Sequence, residues 1–260
     1  SYRDVCIDDE GVIYALSYNG LLQSVVGKQV SQPITLPESK GWTRVIPIGN
    51  KQILLSSASS LYLFDTVSRS VVASIQVPQE ITSLGKKDDR IMVFGKNGGI
   101  WSIGKDAKLR SEEINLRGVV TAFTFDDEKN LSAIGLENGD IVVIDANDNS
   151  RGKLVGHSSR VTDLHFVGNF LFSSSYDRVV NIWDVNATNG EAVSIKDFTS
   201  WVYCICSNDK KALFIGEQSG KVSRIVVSPS EMAKTIHSNL NRDFTDDEWA
   251  YYVGENVPRI

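Results

Sequence analysis

A chain of 260 residues with 42% hydrophobic side chains carries enough apolar material for one large core or two ordinary ones, so length alone leaves the number of domains open. No apolar run approaches the roughly 18 residues that span a bilayer, which argues against membrane insertion within this segment. The formal charge of -5, from 27 Lys and Arg against 32 Asp and Glu, argues against nucleic acid as a partner, because a binder of that kind needs a basic stripe.

Cys6, Cys204 and Cys206 are too few, and odd in number, for a disulfide framework, which points to a cytoplasmic location. Cys204 and Cys206 lie two apart on one predicted strand and are expected to be small buried apolar side chains on the same face. The chain opens at Ser1 without Met or a signal-like apolar segment and is read as a piece of a longer one.

From its first residues onward the chain repeats one turn: Tyr18-Asn19-Gly20, Ala58-Ser59-Ser60, Asn97-Gly98-Gly99, Asn138-Gly139-Asp140, Asp177-Arg178-Val179 and Ser219-Gly220-Lys221. Taking positions 20, 59, 98, 139, 178 and 220 as equivalents gives spacings of 39, 39, 41, 39 and 42. A period near forty is that of propeller blades. Each turn joins two β-like runs, such as Ile91-Met92-Val93-Phe94 to Ile100-Trp101-Ser102-Ile103. Asn-Gly at three of the turns supplies the positive φ that tight hairpins need.

A third strand precedes each hairpin behind an acidic or Gly-containing turn, and a fourth follows most of them, as in Ser70 to Val77 and Glu191 to Ile195. The predicted fold is therefore all-β, a β-propeller of four-stranded antiparallel blades. The propeller occupies residues 1–240, with blades at about 2–39, 40–78, 79–116, 117–156, 157–197 and 198–240. Six are visible, and an upstream blade would make seven. A single blade cannot bury both faces, so the sheets must stack around an axis. The acidic turns lack the ligand spacing of a calcium loop. His165 and His237 have no second ligand at metal-binding spacing, so neither a metal nor a cofactor is assigned. Trp101 is placed in the packing between blades.

The fifth unit resembles the WD-repeat (tryptophan-aspartate repeat) family, with Gly156-His157, Asp177 and Trp183-Asp184 at the family's spacing. Other units keep the frame but place Ile144, Ile103 and Phe64 where the family has Trp. The resemblance implies a buried hydrogen-bonded network of His157, Ser175, Asp177 and Trp183, with Ser173 as the alternative serine. The same residues are poor candidates for a Ser-His-Asp triad, since no nucleophile elbow surrounds either serine. The family's rim positions carry over to Trp42, Glu80, Val119, Arg160 and Trp201 before the inner strands, and to Tyr18, Lys96, Glu137, Tyr176 and Glu217 in the turns. Trp42, Arg160, Tyr176 and Trp201 form the expected partner-binding patch, because Trp, Tyr and Arg most often anchor interfaces.

Residues 241–260 break the repeat. Thr245-Asp246-Asp247-Glu248 is a capping box that predicts a short C-terminal helix ending near Gly254, packed back on the last blade. The tail also resembles the C-terminal ends of bacterial WD-repeat proteins, in which a propeller often follows an effector module. The function expected is a noncatalytic propeller that binds protein or peptide, as the sensor or scaffold part of a larger bacterial signalling protein. The alternative comes from Gly11-Val12-Ile13-Tyr14-Ala15-Leu16, which resembles the repeat core of quinoprotein-type propellers, either a periplasmic scaffold or a dehydrogenase.

Overall fold

The computed structural model describes residues 2–36, 41–114, 116–145, 150–186, 191–208, 211–228, 232 and 245–252. Six antiparallel sheets succeed one another along the chain, each a meander of consecutive strands. Blade 1 holds β1 (Tyr2–Ile7), β2 (Ile13–Ser17) and β3 (Leu21–Val26), with the short β4 (Gln29–Val30) and β5 (Ile34–Thr35) both paired to β3. Blade 2 is β6 (Trp42–Gly49), β7 (Gln52–Ser57), β8 (Ser60–Asp65) and β9 (Ser70–Gln76). Blade 3 is β10 (Ile81–Lys87), β11 (Arg90–Gly95), β12 (Ile100–Ile103) and β13 (Leu109–Ser111).

Blade 4 is β14 (Val120–Asp126), β15 (Leu131–Leu136), β16 (Ile141–Ile144) and β17 (Ser150–Leu154). Blade 5 is β18 (Val161–Val167), β19 (Phe170–Ser175), β20 (Val180–Asp184) and β21 (Ala192–Ile195), and blade 6 is β22 (Val202–Asn208), β23 (Ala212–Glu217) and β24 (Val222–Val226). The fourth strand expected of blade 6 falls in 229–240, outside the described residues apart from Met232.

The core lies between blades, which explains why the middle strands are apolar at nearly every position instead of alternating. In β15, Ala133 packs with Val161, Leu164 and Trp183 of blade 5, whereas its neighbour Ile134 packs with Met92 and Phe94 of blade 3. Successive side chains of a strand point to opposite faces, and here both faces are covered. Tyr14 and Leu16 of blade 1 meet Trp42 and Leu55 of blade 2 in the same way. The Tyr-Ala-Leu run behind the quinoprotein resemblance is thus inter-blade core. Trp101 is buried in the contact of blades 2 and 3, as expected.

Positive φ recurs at Gly20, Ala58, Gly98, Gly139, Arg178 and Gly220, one per blade. The blade 2 equivalent is thus Ala58, one residue before the position taken from the sequence, because Ser57 pairs directly with Ser60 across a two-residue turn. The first strand of each blade also carries a bulge at the same place, between Tyr2 and Asp4, Trp42 and Arg44, Ile81 and Ser83, Val120 and Ala122, Val161 and Asp163, and Val202 and Cys204. A bulge re-aims its side chains, and these six sit at one end of the inner strands. Beyond the sheets, α1 (Asp246–Tyr252) starts from the expected capping box: Thr245 N donates to Glu248 Oε2 at 2.9 Å, and Glu248 N to Thr245 Oγ1 at 3.3 Å. Gly254 lies outside the described residues.

Candidate protein-binding rim

The polar network of blade 5 is built on Ser173, the alternative serine, and not on Ser175. Trp183 Nε1 donates to Ser173 Oγ at 2.8 Å, and His157 Nε2 lies 2.7 Å from the same oxygen. His157 Nδ1 is 2.9 Å from Asp177 Oδ2. A carboxylate only accepts, so the neutral imidazole carries its proton on Nδ1 and Nε2 accepts from the Ser173 hydroxyl. Ser175 Oγ instead donates to Ser159 O and accepts from Asp177 N, which holds the turn.

Burial pushes the Asp177 carboxyl up, but hydrogen bonds from His157 and the Ser158 N–H outweigh it and leave the group below its ordinary range. The order Asp-His-Ser resembles a hydrolytic triad, but Ser173 is fully buried and its oxygen is already held by an indole, so no acyl group can reach it. Its role is to tie β17–β18, β19 and β20 together. Gly156 makes room for this: a Cβ there would meet Trp183 Cη2 at 2.7 Å.

A second repeated device defines the rim. In blades 3 to 6 the N–H just after the second strand bonds the carbonyl just before the inner strand: Lys96 to Glu80, Glu137 to Val119, Tyr176 to Arg160 and Gln218 to Trp201, at 2.8–3.1 Å. This register corrects two sequence assignments. Trp42 is the first residue of its inner strand, equivalent to Ile81 and Val161, and is 3% exposed against Tyr62, with ring centroids 4.9 Å apart. Its expected place in the rim patch belongs to Gly41, because a one-residue slip moves a side chain to the other face. Glu217 is likewise buried, and Gln218 takes the rim position.

Arg160, Tyr176 and Trp201 do lie on the rim. Tyr176 stacks on Trp201 with centroids 4.8 Å apart and meets Tyr203 edge-on at 5.8 Å. Trp201 is 43% exposed, Tyr203 42% and Tyr18 55%. Burial, Tyr176 and Tyr18, in that order, push the Tyr203 phenol above its ordinary range, and Tyr18 holds in blade 1 the turn position that Tyr176 holds in blade 5, with Gly20 N bonding Ser17 O as Arg178 N bonds Ser175 O. Arg3 covers the Tyr18 ring at 5.2 Å. An open depression lined by Ser158, Tyr176, Asp177, Arg178, Thr199, Ser200, Trp201 and Gln218 adjoins it. Arg160 reaches back to Glu137 of blade 4 at 3.7 Å.

The sequence assignments missed Tyr203, Arg3 and Arg178. A signal existed: the bulge position holds Thr43, Thr82, Thr121 and Thr162 in blades 2 to 5, but Arg3 in blade 1 and Tyr203 in blade 6. The threonines are structural. Thr121 Oγ1 donates to Val161 O of the next blade at 2.6 Å, and Thr162 Oγ1 to Val202 O at 2.7 Å.

Further along the inner strands, Asp4 accepts from Val45 N of blade 2 and Asp163 from Ile205 N of blade 6. Arg44 lies 3.6 Å from Asp4. Burial pushes the Asp163 carboxyl up to about 6. Cys204 and Cys206 are exposed, contrary to expectation, because the first strand of a blade leaves one edge uncovered. Partial burial and the Asp163 charge raise both thiols. Among the described residues no three His, Cys, Asp or Glu side chains are grouped to hold a metal ion.

Six antiparallel sheets of three to five described strands, with a buried His-Ser-Trp tie in the fifth, make this a six-bladed β-propeller that carries a WD repeat, since residues 149–184 match the WD domain, G-beta repeat family. Two curated relatives are each named WD repeat and FYVE domain-containing protein 2. The Caenorhabditis briggsae protein is 31% identical and the Caenorhabditis elegans protein 30% identical over 83 residues, which are 31% of this chain and 20% of either relative. The chain therefore matches about a fifth of those proteins' length. Among solved structures the computationally designed Ika8 protein superposes with a TM-score of 0.66 at 16% identity, covering 87% of this chain and 71% of that one, a likeness of fold.

Proposed function

We infer that this propeller is a noncatalytic protein-binding module, and that it binds through the rim of blades 5, 6 and 1. The observation that carries this is the pair of exposed rings, Trp201 and Tyr203, packed on the half-buried Tyr176 beside Arg160 and Tyr18. Large aromatic rings left in water gain most when a partner desolvates them, and Trp, Tyr and Arg dominate interface energetics. WD-repeat propellers typically act as interaction scaffolds, and the WD repeat of blade 5 borders this rim. The scaffold role extends that reading; the sensor role and the larger signalling protein are proposed from the tail resemblance. Its bacterial setting rests on the tail resemblance alone.

A photo-reactive amino acid placed at Tyr176 or Gln218 tests the assignment in the native host. Irradiation should give discrete protein adducts that Trp201→Ala abolishes, whereas the same probe at Asp88 or Asp127, in the opposite turns, should give none. Equal labelling from both faces, or none from the rim, would refute the site.

A further inference from the structure

We propose that the partner segment is an acidic peptide lying extended across blades 5, 6 and 1, with an aromatic or proline side chain on the Trp201–Tyr203 rings and carboxylates on Arg178 and Arg3. This rests on the rim assignment above and goes on to the chemistry of what fills it. The first support is the substitution pattern at the bulge. Four blades keep a threonine there; Arg3 and Tyr203 abandon it and stand exposed in adjoining blades. Departure from a structural rule marks residues kept for another purpose.

The second support is charge. Near the aromatic cluster Arg160 is paired with Glu137, Lys221 lies 3.7 Å from Glu217, and the Asp177 carboxylate is filled by His157 Nδ1 and the Ser158 and Val179 amides. Arg178 and Arg3 remain without a carboxylate within 4 Å among the described residues, and they bracket the rings at opposite ends. Guanidinium groups favour planar carboxylates, which they bind through two parallel hydrogen bonds.

The third is shape. The rings form a strip across three blades rather than a deep pouch, which suits a strand of side chains. A nucleic-acid strand would also stack on such rings, but it carries a phosphate at every residue, and two guanidiniums at the ends of the strip neutralise a few fixed carboxylates and not a continuous row of phosphates.

The test is selection from a random peptide library displayed on phage, followed by anisotropy of the winning peptides and of a labelled oligo-dT strand. The winners should carry Asp or Glu on both sides of an aromatic or proline residue. Binding should weaken about ten-fold or more in Trp201→Ala and Tyr203→Ala, and Arg178→Glu should turn the preference to basic peptides. All these side chains are exposed, and unchanged melting would establish that the variants fold. Winners without excess acid, or unaffected by Arg178→Glu, would overturn the peptide chemistry and leave the rim standing. Winners that bind the Trp201 and Tyr203 variants equally, the absence of winners, or tighter binding of oligo-dT would overturn it altogether.

Discussion

Ser173 is the residue whose removal should be felt most for its size. Ser173→Ala deletes one buried oxygen and adds no volume, but it strips the partner from Trp183 Nε1 and from His157 Nε2 together. A buried polar group left unpaired costs about 1–3 kcal/mol, so two of them should lower stability by about 2–6 kcal/mol. Ser175→Ala serves as the comparison, since its oxygen makes turn contacts to Ser159 and Asp177, and should cost about 1 kcal/mol. Urea unfolding followed by fluorescence measures both. The double variant Ser173→Ala with Trp183→Phe should cost less than the sum of the singles, because removing donor and acceptor together leaves fewer orphans. If Ser173→Ala fell within about 0.5 kcal/mol of wild type, or Ser175→Ala proved the costlier, the network would be misassigned.

Three other outcomes are expected. Burial lifts the Asp163 carboxyl from 3.8 to about 6, so ionising it opposes folding: its contribution is intact below about pH 4 and is lost as pH rises through 6, by at most about 3 kcal/mol. Asp163→Asn should remove that slope from the pH dependence of urea stability, and identical profiles for the two proteins would contradict it. Gly139→Ala should destabilise more than Gly98→Ala: both glycines have positive φ, but only at Gly139 would a Cβ meet backbone, His157 O at 2.5 Å; thermal melts compare them. Thr162→Val keeps the shape but leaves Val202 O without its donor across the blade boundary, and should cost about 1–2 kcal/mol in the same unfolding assay.

What could be seen beforehand follows from how each signal is encoded. The period of turns is local chemistry, since a positive-φ residue every forty or so positions must be Gly, Asn or a tolerated substitute, and it was enough to foretell six sheets. The capping box at Thr245 is local too. The rim assignments were only as good as a register. Tyr18, Arg160, Tyr176 and Trp201 sit at the rim positions expected, while Trp42 and Glu217 were each one residue off and lie in the core, because a two-residue turn at Ala58 and the Ser-Gly turn at 219–220 leave the register open by one. Ser173 and Ser175 share a face, so strand periodicity could not choose between them; the choice is made by reach to Trp183, which is tertiary. The bulges were invisible for the same reason, although the threonines that occupy four of them recur at the blade period.

The bulge threonines lace only part of the ring, since Thr43 and Thr82 bond Ser56 and Phe94 within their own blades. Blades 4 and 5, and blades 5 and 6, are laced by a hydroxyl reaching a neighbour's carbonyl, and blades 1 and 2 by the Asp4 carboxylate. Between blades 6 and 1 that position is given over to Tyr203 and Arg3. Whatever lies over Tyr203 and Tyr18 therefore bridges a joint that no such tie laces, and holding the guest also holds that joint. A loaded molecule should resist proteolysis longer than an empty one, in proportion to how firmly the guest is held.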